Sequence, residues 1–91
     1  MTLPEQPVTL SVQQIATLNR ELGEMRHDIN NKLSLILAAA ELIRAKPEQT
    51  ELMVDTLLEQ PAKISQSLQI FSSAFENSCG IRRDKTARPG L

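Results

Sequence analysis

The feature that most constrains the fold is a long proline-free stretch with regularly spaced apolar residues. Proline is absent between Pro7 and Pro47, and apolar side chains recur there at gaps of three and four. That spacing is typical of one face of a helix. The residues of this stripe are Ile15, Leu18, Leu22, Met25, Ile29, Leu33, Ile36, Ala40 and Ile43. We therefore expect one long first helix whose apolar stripe needs a partner surface.

Local signals define both ends of this first helix. Ser11 or Thr9 is a suitable N-cap, and Gln14 follows Ser11 by three residues, as in a capping box. Pro47 ends the helix, because the residue before a proline is biased away from helical geometry. The predicted helix thus begins near Ser11 and extends to about Ala45.

A second helix is predicted from Pro47 to about Asn77, with its end near Gly80. Proline suits the first helical turn, and glycine suits the residue that follows a helix. The second apolar stripe consists of Leu57, Pro61, Ile64, Leu68, Phe71 and Phe75. The sequence therefore predicts three regions: a flexible N-terminal arm over 1–10, a helical unit over 11–78 and a disordered tail over 79–91.

Two helices joined by a tight loop predict an all-α fold, an antiparallel helical hairpin. A single hairpin has one apolar stripe per helix and no third layer, so it buries little surface at this chain length. Pairing two hairpins through their stripes makes a four-helix bundle. We therefore expect a homodimer.

Composition excludes several functions. The net charge is −1, so no basic field indicates nucleic-acid binding, and no apolar run is long enough to span a membrane. The N-terminus lacks a signal-peptide pattern, which favours a cytoplasmic setting. Cys79 is the only cysteine, so neither an intrachain disulfide nor a thiolate metal cluster is expected. A solvated tail is favoured over a nucleic-acid or partner-binding segment for Arg82, Arg83, Lys85 and Arg88.

The polar candidates surround the only histidine. His27 lies two residues from both Met25 and Ile29, which places it nearly opposite the stripe and toward solvent. The two successive gaps of four in the stripe, on either side of Ile29, also predict a local stutter there. Asp28 follows the histidine, and Asn31 lies one turn further on the same side. The alternative is that these are ordinary residues of a solvated helix face.

The segment His27-Asp28-Ile29-Asn30-Asn31-Lys32-Leu33 resembles the H-box of the dimerisation and histidine-phosphotransfer domain of sensor histidine kinases. The following residues 35–43 also look like that family's first helix, and the resemblance covers about residues 11–78. It implies a dimeric helical bundle in which His27 accepts a phosphoryl group. It further implies that Asp28 assists the nucleophile and that Asn31 orients water when a partner is dephosphorylated.

The sequence departs from this family in two respects. Lys32 stands where many members have proline. The ATP-binding domain that follows in the family has no counterpart here, and the only glycines are Gly23, Gly80 and Gly90, so no glycine-rich phosphate loop is present. We therefore expect no ATP-dependent autophosphorylation by this chain alone. It is either a stand-alone phosphotransferase or a kinase fragment.

The leading hypothesis is a His–Asp phosphorelay element of a two-component system, exchanging a phosphoryl group between His27 and a response-regulator receiver aspartate. No cofactor or metal is expected on this chain, because Mg²⁺ would be bound by the receiver. A separate histidine-kinase catalytic domain is a further candidate partner; nucleic acid and membrane are not. Two alternatives stay open: a non-catalytic dimerisation or adaptor hairpin, and a receiver phosphatase that uses Asp28 and Asn31.

Overall fold

The computed structural model describes residues 2–81, and its regular structure is helical. Helix α1 extends over Val12–Ala45 and helix α2 over Thr50–Cys79. A short 3₁₀ turn, Pro47–Gln49, lies between them. The prediction of an all-α chain is confirmed.

Helix α1 begins at a complete capping box. The Ser11 Oγ accepts a hydrogen bond from the Gln14 amide at 3.0 Å, and the Gln14 Oε1 accepts one from the Ser11 amide at 2.8 Å. Two of the donors that a helix start leaves unpaired are therefore satisfied locally. Ser11, one of the two predicted N-caps, is confirmed as the cap.

The other helix ends also follow local signals. Helix α1 ends before Pro47, and the Thr50 hydroxyl donates to the Pro47 carbonyl oxygen at 2.6 Å as α2 begins. Helix α2 ends at Gly80, whose φ of 69° lies in the left-handed region that glycine adopts without strain. The amide of Ile81 donates back to the Glu76 carbonyl oxygen at 2.8 Å, which closes the helix. Both predicted breaks, at Pro47 and near Gly80, are confirmed.

The two helices contact each other and form a single layer. The molecule measures 58 × 31 × 12 Å along its principal axes. The shortest dimension equals about one helix diameter, ~10–12 Å. Within residues 2–81 only Ala39 and Gln60 are buried, each with 2% of its surface exposed. Both broad faces of the layer are therefore open to solvent.

The side of α1 that contacts α2 differs from the predicted stripe at three positions. Ile15, Leu33 and Ala40 were predicted on the stripe but are exposed, whereas Lys32 is partly buried and Ala39 is buried. The residues of this side, the α2-facing stripe, are Leu18, Leu22, Met25, Ile29, Lys32, Ile36, Ala39 and Ile43. Their gaps alternate strictly between four and three. The predicted stutter is therefore wrong for the side that faces α2.

A physical reason for this register lies in the two residues that replace the predicted ones. Ala39 is small and lets the helices approach closely at the point where α1 is fully buried. Lys32 is partly buried on this side, and the four methylenes of a lysine in such a position cover apolar surface when its ammonium group extends to water. Leu33 and Ala40 belong to a neighbouring apolar stripe that α2 does not cover.

Helix α2 also carries two adjacent stripes. Of the six predicted stripe residues, Leu57, Ile64 and Phe71 are partly buried, but Pro61, Leu68 and Phe75 are exposed. The helix continues through Pro61 without interruption. The residues of α2 that face α1, the α1-facing stripe, are Met53, Leu57, Gln60, Ile64, Ser67, Phe71, Ala74 and Ser78. The predicted stripe therefore combined one inward-facing and one outward-facing row.

The structure of the chain ends bears on only a small part of the predicted division into arm, helical unit and tail. The predicted tail includes Cys79, but this residue belongs to α2 because helical hydrogen bonding continues to Gly80. Residues 82–91, with the four basic residues of the predicted tail, lie outside the described part of the chain. Neither α1 nor α2 is long and apolar enough to cross a membrane.

Candidate functional site

His27 lies near the middle of α1 with its side chain exposed. Met25 and Ile29, two residues away on either side, belong to the partly buried α2-facing stripe. At about 100° per residue, the histidine is thereby turned to the outermost side of the helix. The prediction that His27 faces solvent is confirmed, and a partner can approach the imidazole without any movement of α2.

Asp28 and Asn31 are likewise exposed on α1. Asn31 is one helical turn from His27 and shares its side of the helix, whereas Asp28 is rotated toward α2. In the described part of the chain, none of these three side chains makes a hydrogen bond to another side chain. The resemblance implies that Asp28 assists the nucleophile, but no hydrogen bond between Asp28 and the imidazole is formed in this conformation.

Two charged residues flank the histidine on its N-terminal side. The Arg20 Nε lies 3.7 Å from the Glu24 Oε1, and both side chains are mostly exposed. A solvent-exposed pair of this kind contributes little to stability, about 0.3–0.5 kcal/mol. It places a carboxylate and a guanidinium one to two turns from His27.

Asp28 also borders a cavity between the two helices. The cavity has a volume of about 200 Å³ and is lined by Glu21, Glu24, Met25, Asp28, Ser67, Ile70 and Phe71. Three carboxylates thus surround an apolar floor, and the Glu21 Oε2 is buried without a hydrogen-bond partner. The site therefore combines an exposed imidazole with an acidic, partly apolar cleft next to it.

This cleft was missed at the level of the sequence. The spacing of Glu21, Glu24 and Asp28 places them on one side of a helix, and that signal was available. The contribution of Ile70 and Phe71 was not predictable from the sequence, because it depends on how α1 and α2 are aligned. The three acids do not form a metal centre: among residues 2–81 no group of three or more His, Cys, Asp or Glu side chains is arranged to hold an ion.

The comparisons with known proteins do not assign this site. No protein-family model, no curated protein and no solved structure matches the chain. The chemistry of His27, Asp28 and Asn31 indicates which reactions the site can support. A neutral imidazole is a nucleophile near neutral pH, a carboxylate can take up its proton, and a carboxamide can position water or a phosphoryl oxygen.

Proposed function

We propose that this chain is a phosphotransfer element of a His–Asp relay. In this proposal α1 and α2 form an antiparallel helical hairpin, two copies form a four-helix bundle, and His27 exchanges a phosphoryl group with a receiver aspartate. The observation that carries the proposal is the exposure of His27 on the outermost side of α1, with Asn31 exposed one turn away. The resemblance of residues 27–33 to an H-box supports the same assignment.

The surroundings of His27 suit the approach of a protein partner. Gly23 lies one turn before the histidine, and a Cβ added there would meet nothing within 4 Å. Ser34 and Ala38 continue the exposed surface beyond His27 with small side chains. Small residues let another backbone come close to the helix, so a receiver can bring its active-site aspartate to the imidazole.

The transfer itself requires little from this chain beyond a positioned nucleophile. An unprotonated ring nitrogen of His27 attacks the phosphorus of the donor, an N–P bond forms, and the P–O bond to the donor oxygen breaks with its electron pair leaving on that oxygen. The ring then loses its remaining N–H proton to solvent or to a nearby base. Phosphoryl transfer is dominated by positioning and charge stabilisation, and the Mg²⁺ of the receiver supplies most of the latter.

In this proposal, Asp28 and Asn31 act in different steps of the reaction. When the Asp28 carboxylate swings to the imidazole, it accepts the ring N–H and fixes the reactive tautomer. The Asn31 carboxamide, one turn further, positions a water that attacks the phosphorus of the phosphorylated receiver; the P–O bond to the receiver aspartate breaks and inorganic phosphate leaves. Both side chains are exposed and make no side-chain hydrogen bond among the described residues, so either is free to adopt these positions.

The test is a phosphotransfer assay on the purified full chain. The chain is incubated with a phosphorylated receiver domain or with a histidine-kinase catalytic domain and ATP, and acid-labile, base-stable phosphate on the chain is measured. His27→Gln removes the nucleophile and keeps a side chain of similar size. Glu41→Gln, an exposed change on α1 more than three turns from His27, is the matched control. We expect label on the parent and on the Glu41 variant only.

Three outcomes would contradict the proposal. Label that persists in His27→Gln would place the acceptor elsewhere, and no label with any donor would favour the adaptor hypothesis. Loss of receiver phosphate without any phosphohistidine would favour the receiver phosphatase. With ATP and Mg²⁺ alone, no labelling is expected.

A further inference from the structure

The cleft beside Asp28 has two chemically different walls. On the α1 side, Glu21, Glu24 and Asp28 contribute three carboxylates. On the α2 side, Ile70 and Phe71 contribute apolar side chains, and the α2 residues that line the cleft are uncharged. The cleft is therefore a negatively charged opening with an apolar wall.

The described part of the chain neutralises these carboxylates only in part. Arg20 pairs with Glu24 on the surface of α1. Among residues 2–81, neither Glu21 nor Asp28 takes part in an ion pair. The Glu21 Oε2 is buried without a hydrogen-bond partner, and a carboxylate in that situation is costly unless a cation lies close to it. A cation that enters the cleft would offset this cost.

The volume of the cleft limits the kind of cation that fits. It is about 200 Å³, less than the roughly 300–1,000 Å³ of sites that enclose a drug-sized ligand, so it accommodates one side chain. A long basic side chain satisfies both walls, because its methylenes cover apolar surface while its charged end meets carboxylates. Arginine fits better than lysine, since its planar guanidinium stacks on an aromatic ring such as that of Phe71 and pairs with a carboxylate through two nitrogens.

The cleft continues onto the outer side of α2. Ile70, which is 64% exposed, lines both the cleft and a shallower depression of about 500 Å³. The other residues of that depression are Gln66, Gln69 and Ser73. An occupant that extends beyond the cleft would therefore meet uncharged polar side chains that can donate and accept hydrogen bonds with a peptide backbone. This favours an arginine carried by a polypeptide over a free cation.

We propose that the cleft binds an arginine side chain of the protein that docks at His27. Asp28 directly follows His27 and lines the cleft, so a partner bound at the imidazole lies within reach of the cleft. This inference rests on the proposed function for the identity of the partner, a receiver domain, and adds the surface feature by which that partner is recognised. Arginine anchors that fill pockets are among the residues that contribute most to protein–protein affinity.

The first experiment measures recognition without any phosphate chemistry. N-acetyl-arginine methylamide and its neutral isostere, N-acetyl-citrulline methylamide, are each titrated into the isotope-labelled full chain at low ionic strength. Backbone amide shifts are followed by NMR. We expect the arginine probe to shift the amides of the cleft with a Kd in the millimolar range. The citrulline probe should bind roughly five- to tenfold more weakly, because it lacks the charge that strengthens hydrogen bonds to carboxylates.

Glu24→Gln and Glu59→Gln form a matched pair of variants. Each of these glutamates is exposed and lies 3.7 Å from a basic side chain four residues away, but only Glu24 lines the cleft. We expect Glu24→Gln to weaken binding of the arginine probe roughly 2–5-fold and Glu59→Gln to leave it unchanged. The absence of shifts at the cleft, equal binding of the two probes, or an equal loss in both variants overturns the proposal.

A competing occupant is the chain's own basic segment. In a full-chain variant, Arg82, Arg83, Lys85 and Arg88 are all replaced by glutamine, and the titration is repeated. If the arginine probe binds this variant but not the parent, the chain's own basic residues fill the cleft, and the assignment to a partner is overturned. Equal binding to the parent and the variant supports the assignment.

The second experiment uses the receiver domain of the phosphotransfer assay. Glu24→Gln should raise the receiver concentration that gives half-maximal transfer roughly 2–5-fold and leave the maximal rate unchanged, whereas Glu59→Gln should alter neither. An unaltered concentration dependence in Glu24→Gln overturns the proposal. If the arginine probe binds but His27 is never phosphorylated, recognition of arginine stands and the phosphotransfer proposal fails. If His27 accepts phosphate but the probe does not bind, only the present inference fails.

Discussion

Lys32 and Leu33 are neighbours in α1, and the charged residue is the better buried of the two. Lys32 is partly covered on the α2-facing stripe, whereas Leu33 is 51% exposed. The α1–α2 contact therefore includes the methylenes of a lysine and excludes an adjacent leucine. The polar end of Lys32 must reach water from this position, which restricts its rotamers.

Replacing Lys32 by an unbranched apolar side chain should stabilise the helix pair. Lys32→Met keeps the covered methylenes and removes the need to solvate an ammonium group, so we expect a gain of about 0.5–1 kcal/mol. Urea unfolding followed by circular dichroism measures the change. Leu33→Met is the matched neighbour, and it should leave the free energy of unfolding almost unaltered. A destabilised Lys32→Met would mean that the ammonium group makes a favourable contact.

Gln60 provides a second stability test, because its side chain is buried between the two helices. Its side chain is 2% exposed, its Nε2 donates to the Thr56 carbonyl oxygen at 2.8 Å, and its Oε1 is buried without a hydrogen-bond partner. Gln60→Met is similar in shape and removes the unpaired acceptor, so stability should rise by about 1 kcal/mol. Gln60→Glu buries a carboxylate there and should cost about 2 kcal/mol or more. Gln66→Met, at an exposed position, provides the baseline in the same unfolding experiment.

The capping box predicts a local effect at the start of α1. Ser11→Ala removes the oxygen that accepts from the Gln14 amide, and we expect a loss of about 1 kcal/mol. Hydrogen exchange should show faster opening of the first turn of α1, with the middle of the helix little affected. Thr9→Ala, just outside the helix, should change neither quantity. Equal effects of the two substitutions would show that the box does not hold this end.

The site variants should separate two reaction steps. His27→Gln should abolish phosphorylation yet change stability by no more than about 0.5 kcal/mol, because the residue is exposed. Asp28→Asn should slow phosphorylation of His27, since the imidazole loses its orienting carboxylate. Asn31→Ala should slow receiver dephosphorylation while His27 is still modified. The rate of each step is measured with one receiver domain. If all three variants react at the same rates as the parent, the adaptor hypothesis replaces the phosphotransfer proposal.

Helix ends were predictable because each depends on a few adjacent residues. Ser11 with Gln14, Pro47 and Gly80 act through their own backbone geometry and need no tertiary context. The exposure of His27 was predictable for a similar reason, because its neighbours Met25 and Ile29 fix the direction of the helix face.

The alignment of the helices was not predictable, and the cleft depends on it. Leu33 and Lys32 lie on adjacent rows of α1, and hydrophobicity alone selected the leucine. The structure instead places the row with Ala39 against α2, where a small side chain permits close approach. Choosing between two apolar rows requires knowledge of both packing surfaces. The same alignment brings Phe71 to the cavity beside Asp28, so this part of the site followed only from the three-dimensional arrangement.

A layer 12 Å thick, formed by α1 and α2, has no interior that residues 2–81 can seal. Among those residues, apolar side chains that point away from the neighbouring helix face water. If two copies associate as proposed, association and folding draw on the same surface, and the midpoint of thermal unfolding should rise with protein concentration. In a cell, the fraction of folded chains would depend on the number of copies made, and gene dosage would become a determinant of how much competent protein exists.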